Sequence, residues 1–184
     1  GSYALFKTTI GEYNSAIGAD ALFSNTTGGY NTATGASCLY TNTSGVYNTE
    51  SGTHALYSNI SGGSNTATGA SALFSNKTGN YNTAIGTAAM WYNTAGYGNT
   101  SIGYSAQYYD TTGNYNTSIG FQSLFLNRKT NFNTALGSYA LLNHRTNDYN
   151  TAVGGYAMHW DTSGIYNTAV GYGALFLNRK GKNN

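Results

Sequence analysis

Residues 13–29 read Y-N-S-A-I-G-A-D-A-L-F-S-N-T-T-G-G, and residues 30–46 read Y-N-T-A-T-G-A-S-C-L-Y-T-N-T-S-G-V. The second stretch restates the first, with Tyr-Asn, Gly, Leu and a second Asn at the same offsets. Carried outward, this register gives ten complete 17-residue units without insertion or deletion. They begin at Tyr13, Tyr30, Tyr47, Ser64, Tyr81, Gly98, Tyr115, Phe132, Tyr149 and Tyr166. Residues 1–12 are the tail of a preceding unit, 13–182 the ten full units and 183–184 the start of another, so 1–184 is one repeat array. Numbering the slots 1 to 17 from the Tyr, the consensus is Y-N-T-A-[ITV]-G-x-x-A-L-[FY]-x-N-T-[ST]-G-x. Slot 2 is Asn in every full unit: Asn14, Asn31, Asn48, Asn65, Asn82, Asn99, Asn116, Asn133, Asn150 and Asn167. Slot 6 is always Gly: Gly18, Gly35, Gly52, Gly69, Gly86, Gly103, Gly120, Gly137, Gly154 and Gly171.

Seventeen residues are too few for a two-helix repeat. Two Gly positions and abundant Asn and Thr also disfavour a continuous helix. Two short segments remain, slots 2–5 and 8–12, and these predict two short strands per coil. The expected fold is an all-β parallel β-solenoid, or β-roll, of about eleven coils stacked at roughly 4.8 Å, on the order of 50 Å long. An inserted residue would turn the following side chains to the wrong face, which explains the strict period. Asn side chains in register can hydrogen-bond along such a stack. The slot-6 Gly marks a corner that needs positive φ or leaves no room for a Cβ. The absence of Pro agrees, since Pro removes a ladder donor.

Slots 5 and 10 are expected to fill the interior. Slot 11 is apolar or aromatic as well: Phe6, Phe23, Tyr40, Tyr57, Phe74, Trp91, Tyr108, Phe125, Leu142 and Phe176, with His159 the exception. Neighbouring strand residues face opposite ways, so apolar residues at 10 and 11 predict a strand covered on both sides. A second copy is the expected cover, since soluble monomers rarely expose a continuous aromatic stripe.

Composition narrows the function. Charged residues make up 8% of the chain, against about 25% in an ordinary domain. A net charge of +2 supplies no clustered basic face, so no nucleic-acid partner is expected. No apolar run is long enough to span a membrane. The single Cys38 excludes an internal disulfide, and no metal-ligand spacing occurs, so neither metal nor cofactor is expected. Six acids are scattered through the array. Asp110 and Asp161 share slot 13 but lie three coils apart, roughly 14 Å, too far for a paired-carboxylate hydrolase. His54, His144 and His159 read as edge or corner residues, and Cys38 as a buried substitute for Ala. The expectation is a non-enzyme.

The N-T-A-I-G segment followed by A-L recurs at Asn14–Gly18 with Ala21 and Leu22, and at Asn82–Gly86 with Ala89 and Met90. It resembles the head repeat of trimeric autotransporter adhesins. It is closer still to the Y-N-T-A-I-G…A-L-x-x-N-T-T-G repeats of large bacterial surface proteins and phage tail fibres. The resemblance implies a left-handed β-roll, three chains about a common axis, and a surface that binds host matrix or receptors. It places the chain outside the cell, on a cell surface or a virion fibre. The adhesin head repeats are a few residues shorter per coil.

One asymmetry points to a surface. In the first four full units slots 7, 8, 12 and 17 carry no aromatic residue. Later coils add Tyr92, Tyr97, Tyr104, Tyr109, Phe121, Tyr139, Tyr156, Trp160 and Tyr172. Arg128, Lys129, Arg145, Arg179, Lys180 and Lys182 also fall in the later part. Tyr and Trp beside Arg suit protein interfaces, and flat aromatic faces suit sugar rings. These nine aromatics are the candidate binding or lateral-packing surface. Asn25, Asn42, Asn59 and Asn76, each in an N-x-[ST] triplet at slot 13, are candidate glycosylation sites.

The leading expectation is a structural and adhesive module of an extracellular fibre. Its partners would be itself, as a trimer or an end-to-end filament, and a host-surface receptor or glycan. The array opens at slot 6 and stops at slot 2, and open coil ends invite end-to-end stacking. Two alternatives are a carbohydrate-binding solenoid and an ice-binding solenoid. The second needs a regular Thr face, and an inward slot 5 leaves T-x-T pairs only at Thr32/Thr34 and Thr66/Thr68.

Overall fold

The T-A-[ITV] triplet at slots 3–5 forms the strands. There are ten, from β1 (Ser15–Ile17) to β10 (Thr168–Val170), each three residues long. Every strand pairs in parallel with its sequence neighbours, slot upon slot, so the sheet order is the chain order. The computed structural model describes every residue except Thr146. Coils are numbered 1 to 10 from Tyr13, so coil 3 is 47–63 and coil 6 is 98–114.

The expected parallel β-solenoid is therefore present, with two corrections. The first concerns slot 5. The middle residue of the triplet, slot 4, points inward: Ala33, Ala67, Ala84, Ala135 and Ala152 are fully buried. In a three-residue strand with its centre inward, both flanks face out. Slot 5 is thus exposed, as at Ile17, Ile85, Ile119 and Val170. The interior is filled instead by slots 4, 9 and 10.

The second correction concerns slots 8–12, which make turns and no second sheet. Slots 8 and 10 adopt left-handed backbone, for example Asp20 (φ 56°) with Leu22 (φ 53°) and Tyr156 (φ 57°) with Met158 (φ 49°). For an L residue this costs on the order of 1–2 kcal/mol. Hydrogen bonds between coils offset it. The Ser37 N–H donates to the Ala19 carbonyl at 2.8 Å, the Leu22 N–H to Cys38 at 2.9 Å and the Ser24 N–H to Tyr40 at 3.0 Å. Alternating backbone hand also breaks the in-out rule of strands. Slots 9 and 10 consequently face inward together, with Ala21, Leu22, Ala72 and Leu73 fully buried.

With no strand there, adjacent apolar slots 10 and 11 no longer require a covering chain. The slot-11 rings half-bury one another. Phe6, Phe23, Tyr40, Tyr57, Phe74, Trp91, Tyr108 and Phe125 stack in one column, with centroids 4.7 to 6.0 Å apart.

Two asparagine columns tie the corners. At slot 2 each Asn Oδ1 accepts the backbone N–H of the Asn one coil on, as from Asn48 to Asn31 at 3.0 Å. Its Nδ2 closes its own coil on the slot-16 carbonyl, as from Asn31 to Gly45 at 2.8 Å. Slot 13 forms a second amide ladder: Nδ2 of Asn42, Asn59, Asn76 and Asn93 donates to Oδ1 of the preceding Asn at 2.7 to 3.0 Å. The slot-6 Gly meets both expected demands. At Gly103 φ is 134°, and a Cβ would lie 2.5 Å from the Gly120 carbonyl oxygen.

The apolar core comes in two lengths. One runs from Ala21 to Met90, the other from Leu124 to Ala169. Between them coil 6 carries buried Gln107 in the Leu slot and Ser101 in the Ala slot. No helix is long and apolar enough to cross a membrane among the described residues.

Candidate functional site

The nine off-ladder aromatics separate into three groups. Tyr97 joins the slot-1 tyrosine column. Coil 6 has Gly98 at slot 1, and the Tyr97 ring fills the gap, 5.1 Å from Tyr81 and 5.4 Å from Tyr115. It repairs a ladder and stands apart from the other eight.

Tyr104, Phe121, Tyr139, Tyr156 and Tyr172 form a second column. It starts at slot 7, crosses to slot 8 and returns, with successive centroids 4.9 to 5.7 Å apart. Tyr92 and Tyr109 form a third, at slot 12. Their rings stack at 5.4 Å and only 6° from parallel. Trp160 occupies the same slot three coils further on and packs edge-on against His159 at 5.2 Å.

These columns border two clefts over coils 5 to 7. One, about 390 Å³, lies between the Tyr104 column and the slot-11 stack, with Trp91, Tyr108 and Phe125 in its wall. The other, about 320 Å³, is lined by Tyr92, Tyr109, Thr111, Arg128 and Lys129. Tyr108 stands edge-on to Tyr92 at 5.3 Å and to Tyr109 at 4.8 Å, and Tyr109 lines both clefts. Burial and the neighbouring tyrosines hold the Tyr108 phenol above its ordinary range.

The backbone beneath the second cleft is fixed. Both the N–H and the Oγ–H of Thr111 donate to the Arg128 carbonyl at 3.1 Å. Just inside, Asp110 is buried and fully engaged. It accepts from Gln107 Nε2 (2.8 Å), Gly113 N–H (2.8 Å) and Asn127 Nδ2 (3.1 Å). Burial raises its pKa and the Gln107 hydrogen bond opposes that rise. Asp110 is thus an interior turn residue. Asp161 plays the same part, accepting the Gly164 N–H at 2.6 Å.

The sequence points to Tyr92, Tyr104, Tyr109 and Phe121, which the structure gathers over coils 5 to 7. It places Trp91, Tyr108 and Phe125 in an oligomer seam, although they line the first cleft. Arg128 and Lys129 were noticed only as part of a basic drift; their place beside Tyr109 depends on the turn geometry at slots 12–15.

The glycosylation sites are corrected. Asn25, Asn42, Asn59 and Asn76 are fully buried. The last three donate Nδ2 within the slot-13 ladder, and the Asn25 Nδ2 bonds to the Gly28 carbonyl at 2.9 Å. A glycan there would pull the amide out of the core.

Two buried titratable groups lie elsewhere. Glu50 occupies the inward Ala slot of coil 3, and neither carboxyl oxygen has a hydrogen-bond partner. Burial drives its pKa well above the ordinary carboxyl value. Nearby, the Cys38 thiol donates to the Gly52 carbonyl at 2.8 Å. Burial, reinforced by Glu50, pushes that thiol up to about 11. No cluster of three His, Cys, Asp or Glu side chains suited to a metal ion occurs among the described residues. No protein-family model, curated protein or solved structure matches the chain.

Proposed function

We propose that the chain is a non-catalytic structural and adhesive module of an extracellular fibre, a stiff stacked-coil shaft with a multivalent side-chain surface. One observation carries this reading. The slot-2 ladder runs through all ten coils, and each bond crosses from one coil to the next. Coils tied to their neighbours at both corners resist bending. They also repeat any surface group at a fixed pitch, which suits avidity over tight single-site binding. Association into trimers or end-to-end filaments belongs to the same proposal.

Light scattering on a size-exclusion column, combined with small-angle X-ray scattering, tests it. The expected result is a rod whose cross-section is that of one coil, or of a small bundle of coils. A flexible-chain scattering profile would overturn the shaft.

A second reading is favoured by the outward direction of slot 5. Slots 3 and 5 together form an outward array over ten parallel strands, Thr beside Ile, Val or Thr except at Ser15, Ser51 and Leu136. That polar-apolar lattice is what an ice-binding face requires. Thermal hysteresis of the purified protein decides it, and freezing without hysteresis removes the reading.

A further inference from the structure

The cleft beside Tyr109 combines features that occur together nowhere in coils 1 to 4. The Tyr92 and Tyr109 rings are exposed and nearly parallel. Arg128 and Lys129 are exposed one coil further on and line the same cleft. No carboxylate lines it, and the nearest one inside, Asp110, has its oxygens taken by Gln107, Gly113 and Asn127. Two cations therefore face a space the chain supplies with no counter-charge. The volume, about 320 Å³, is at the small end of ligand sites and open to solvent.

We infer that this cleft binds an acidic oligosaccharide, with a sugar ring laid on the Tyr92–Tyr109 platform and its carboxylate or sulfate held by Arg128 and Lys129. The inference rests on the adhesive reading above and names its ligand. The chemistry is divided between two kinds of contact. Tyrosine faces pack against the C–H side of a pyranose, giving flat apolar contact with hydroxyls at the rim. The Arg128 guanidinium matches a carboxylate or sulfate with two parallel N–H donors, and Lys129 adds a point charge. Thr111 holds the Arg128 carbonyl through two hydrogen bonds, so the cation is carried on fixed backbone. A neutral sugar would use the platform and leave both cations idle. Single-stranded nucleic acid is less suited, because it needs a basic groove that tracks a run of phosphates, and the cations lining this cleft are Arg128 and Lys129.

Titration calorimetry on the intact chain tests the assignment with four probes: oligogalacturonate for carboxylates, a heparin-derived oligosaccharide for sulfates, a maltooligosaccharide for neutral sugar, and oligo(dT). Binding of either acidic probe is expected. It should weaken about tenfold in the Arg128→Gln/Lys129→Gln variant and about tenfold in Tyr109→Ala, as loss of a charge-assisted contact or an aromatic platform implies. The distant Lys180→Gln should bind as the parent does. The two cations are exposed, so their replacement leaves the fold intact, and a thermal melt of each variant verifies this.

Four results would overturn the inference: no acidic probe bound at millimolar concentration, equal loss in Lys180→Gln, equal binding of maltooligosaccharide, or tighter binding of oligo(dT). Failure here with a rod in solution scattering removes the ligand and leaves the shaft. Failure of both removes the adhesive reading too.

Discussion

Coils 3 and 6 both bury polar side chains in an interior that is otherwise alanine and leucine, and they do so in opposite ways. In coil 6, Ser101 Oγ donates to Gln107 Oε1 at 2.8 Å, and Gln107 Nε2 donates to Asp110 Oδ2 at 2.8 Å. Every member of that chain has a partner. In coil 3, Glu50 stands in the same slot as Ser101 with both oxygens unpaired. A satisfied network interrupts the apolar core at little cost, whereas a buried group without partners costs its full desolvation. The two coils thus separate what the winding demands from what the interior tolerates.

The demands of winding should be equal in both. Gly52→Ala and Gly103→Ala each place a Cβ 2.5 Å from the next coil's Gly carbonyl oxygen, at φ 142° and 134°. Each should lose about 3 kcal/mol in urea unfolding. A large difference between them would show that the corners are not equivalent. The next effect belongs to coil 6 alone. Gln107→Leu restores the leucine column but strips partners from Ser101 and Asp110, and should cost about 2 kcal/mol despite the added apolar surface. If that variant is more stable, the network is not what makes coil 6 tolerable.

Glu50→Ala should act in the opposite direction, raising stability at pH 7 by about 1–2 kcal/mol, because Ala already fills this slot in most coils. The gain should depend on pH. Folded Glu50 keeps its proton because burial raises its pKa. The unfolded carboxyl ionises above about 4.3. Between those values the unfolded state binds fewer protons, so parent stability falls as pH rises. The parent-minus-variant difference should therefore be small near pH 4 and grow toward neutrality. Buried His144, held below its ordinary range by desolvation, works the other way. It is common to both proteins and cancels in the difference. A flat difference across that range would mean that Glu50 reaches solvent. The smallest effect is expected at Cys38→Ala, within about 0.5 kcal/mol, since Ala is the usual residue of slot 9.

Much of the winding was legible beforehand. The period, the parallel stacking, the slot-2 ladder and the slot-6 corner all follow from Asn and Gly recurring at fixed offsets. The turn segment was not legible, because its left-handed positions hold Leu, Met, Ser, Ala, Tyr, Gln, His and Asp, and in one place Gly173, where Gly would normally mark such backbone throughout. The hydrogen bonds that hold them lie between coils and leave no trace in local composition. From that misreading came the two-faced strand, whereas the inward slot 5 came from placing the bulkier apolar residue of the T-A-[ITV] triplet inside in place of its Ala. Slot-13 asparagines look like exposed turn residues, and only the backbone shows them turned inward. The aromatic drift after Trp91 was visible as composition, but that Tyr97 belongs to a different column from Tyr92 depends on the Gly98 gap. Glu50 becomes informative only once slot 4 is known to face the core.

The asparagine columns have a consequence for symmetry. In slot 2 and slot 13 alike, the donor sits on the later coil and the acceptor on the earlier one. Every coil therefore has unlike sides, one offering amide N–H groups and the other amide oxygens. Two stacks meeting like side to like side would set donor against donor. Only a head-to-tail join continues the columns, so any filament built by this route has a direction, and its two tips differ chemically.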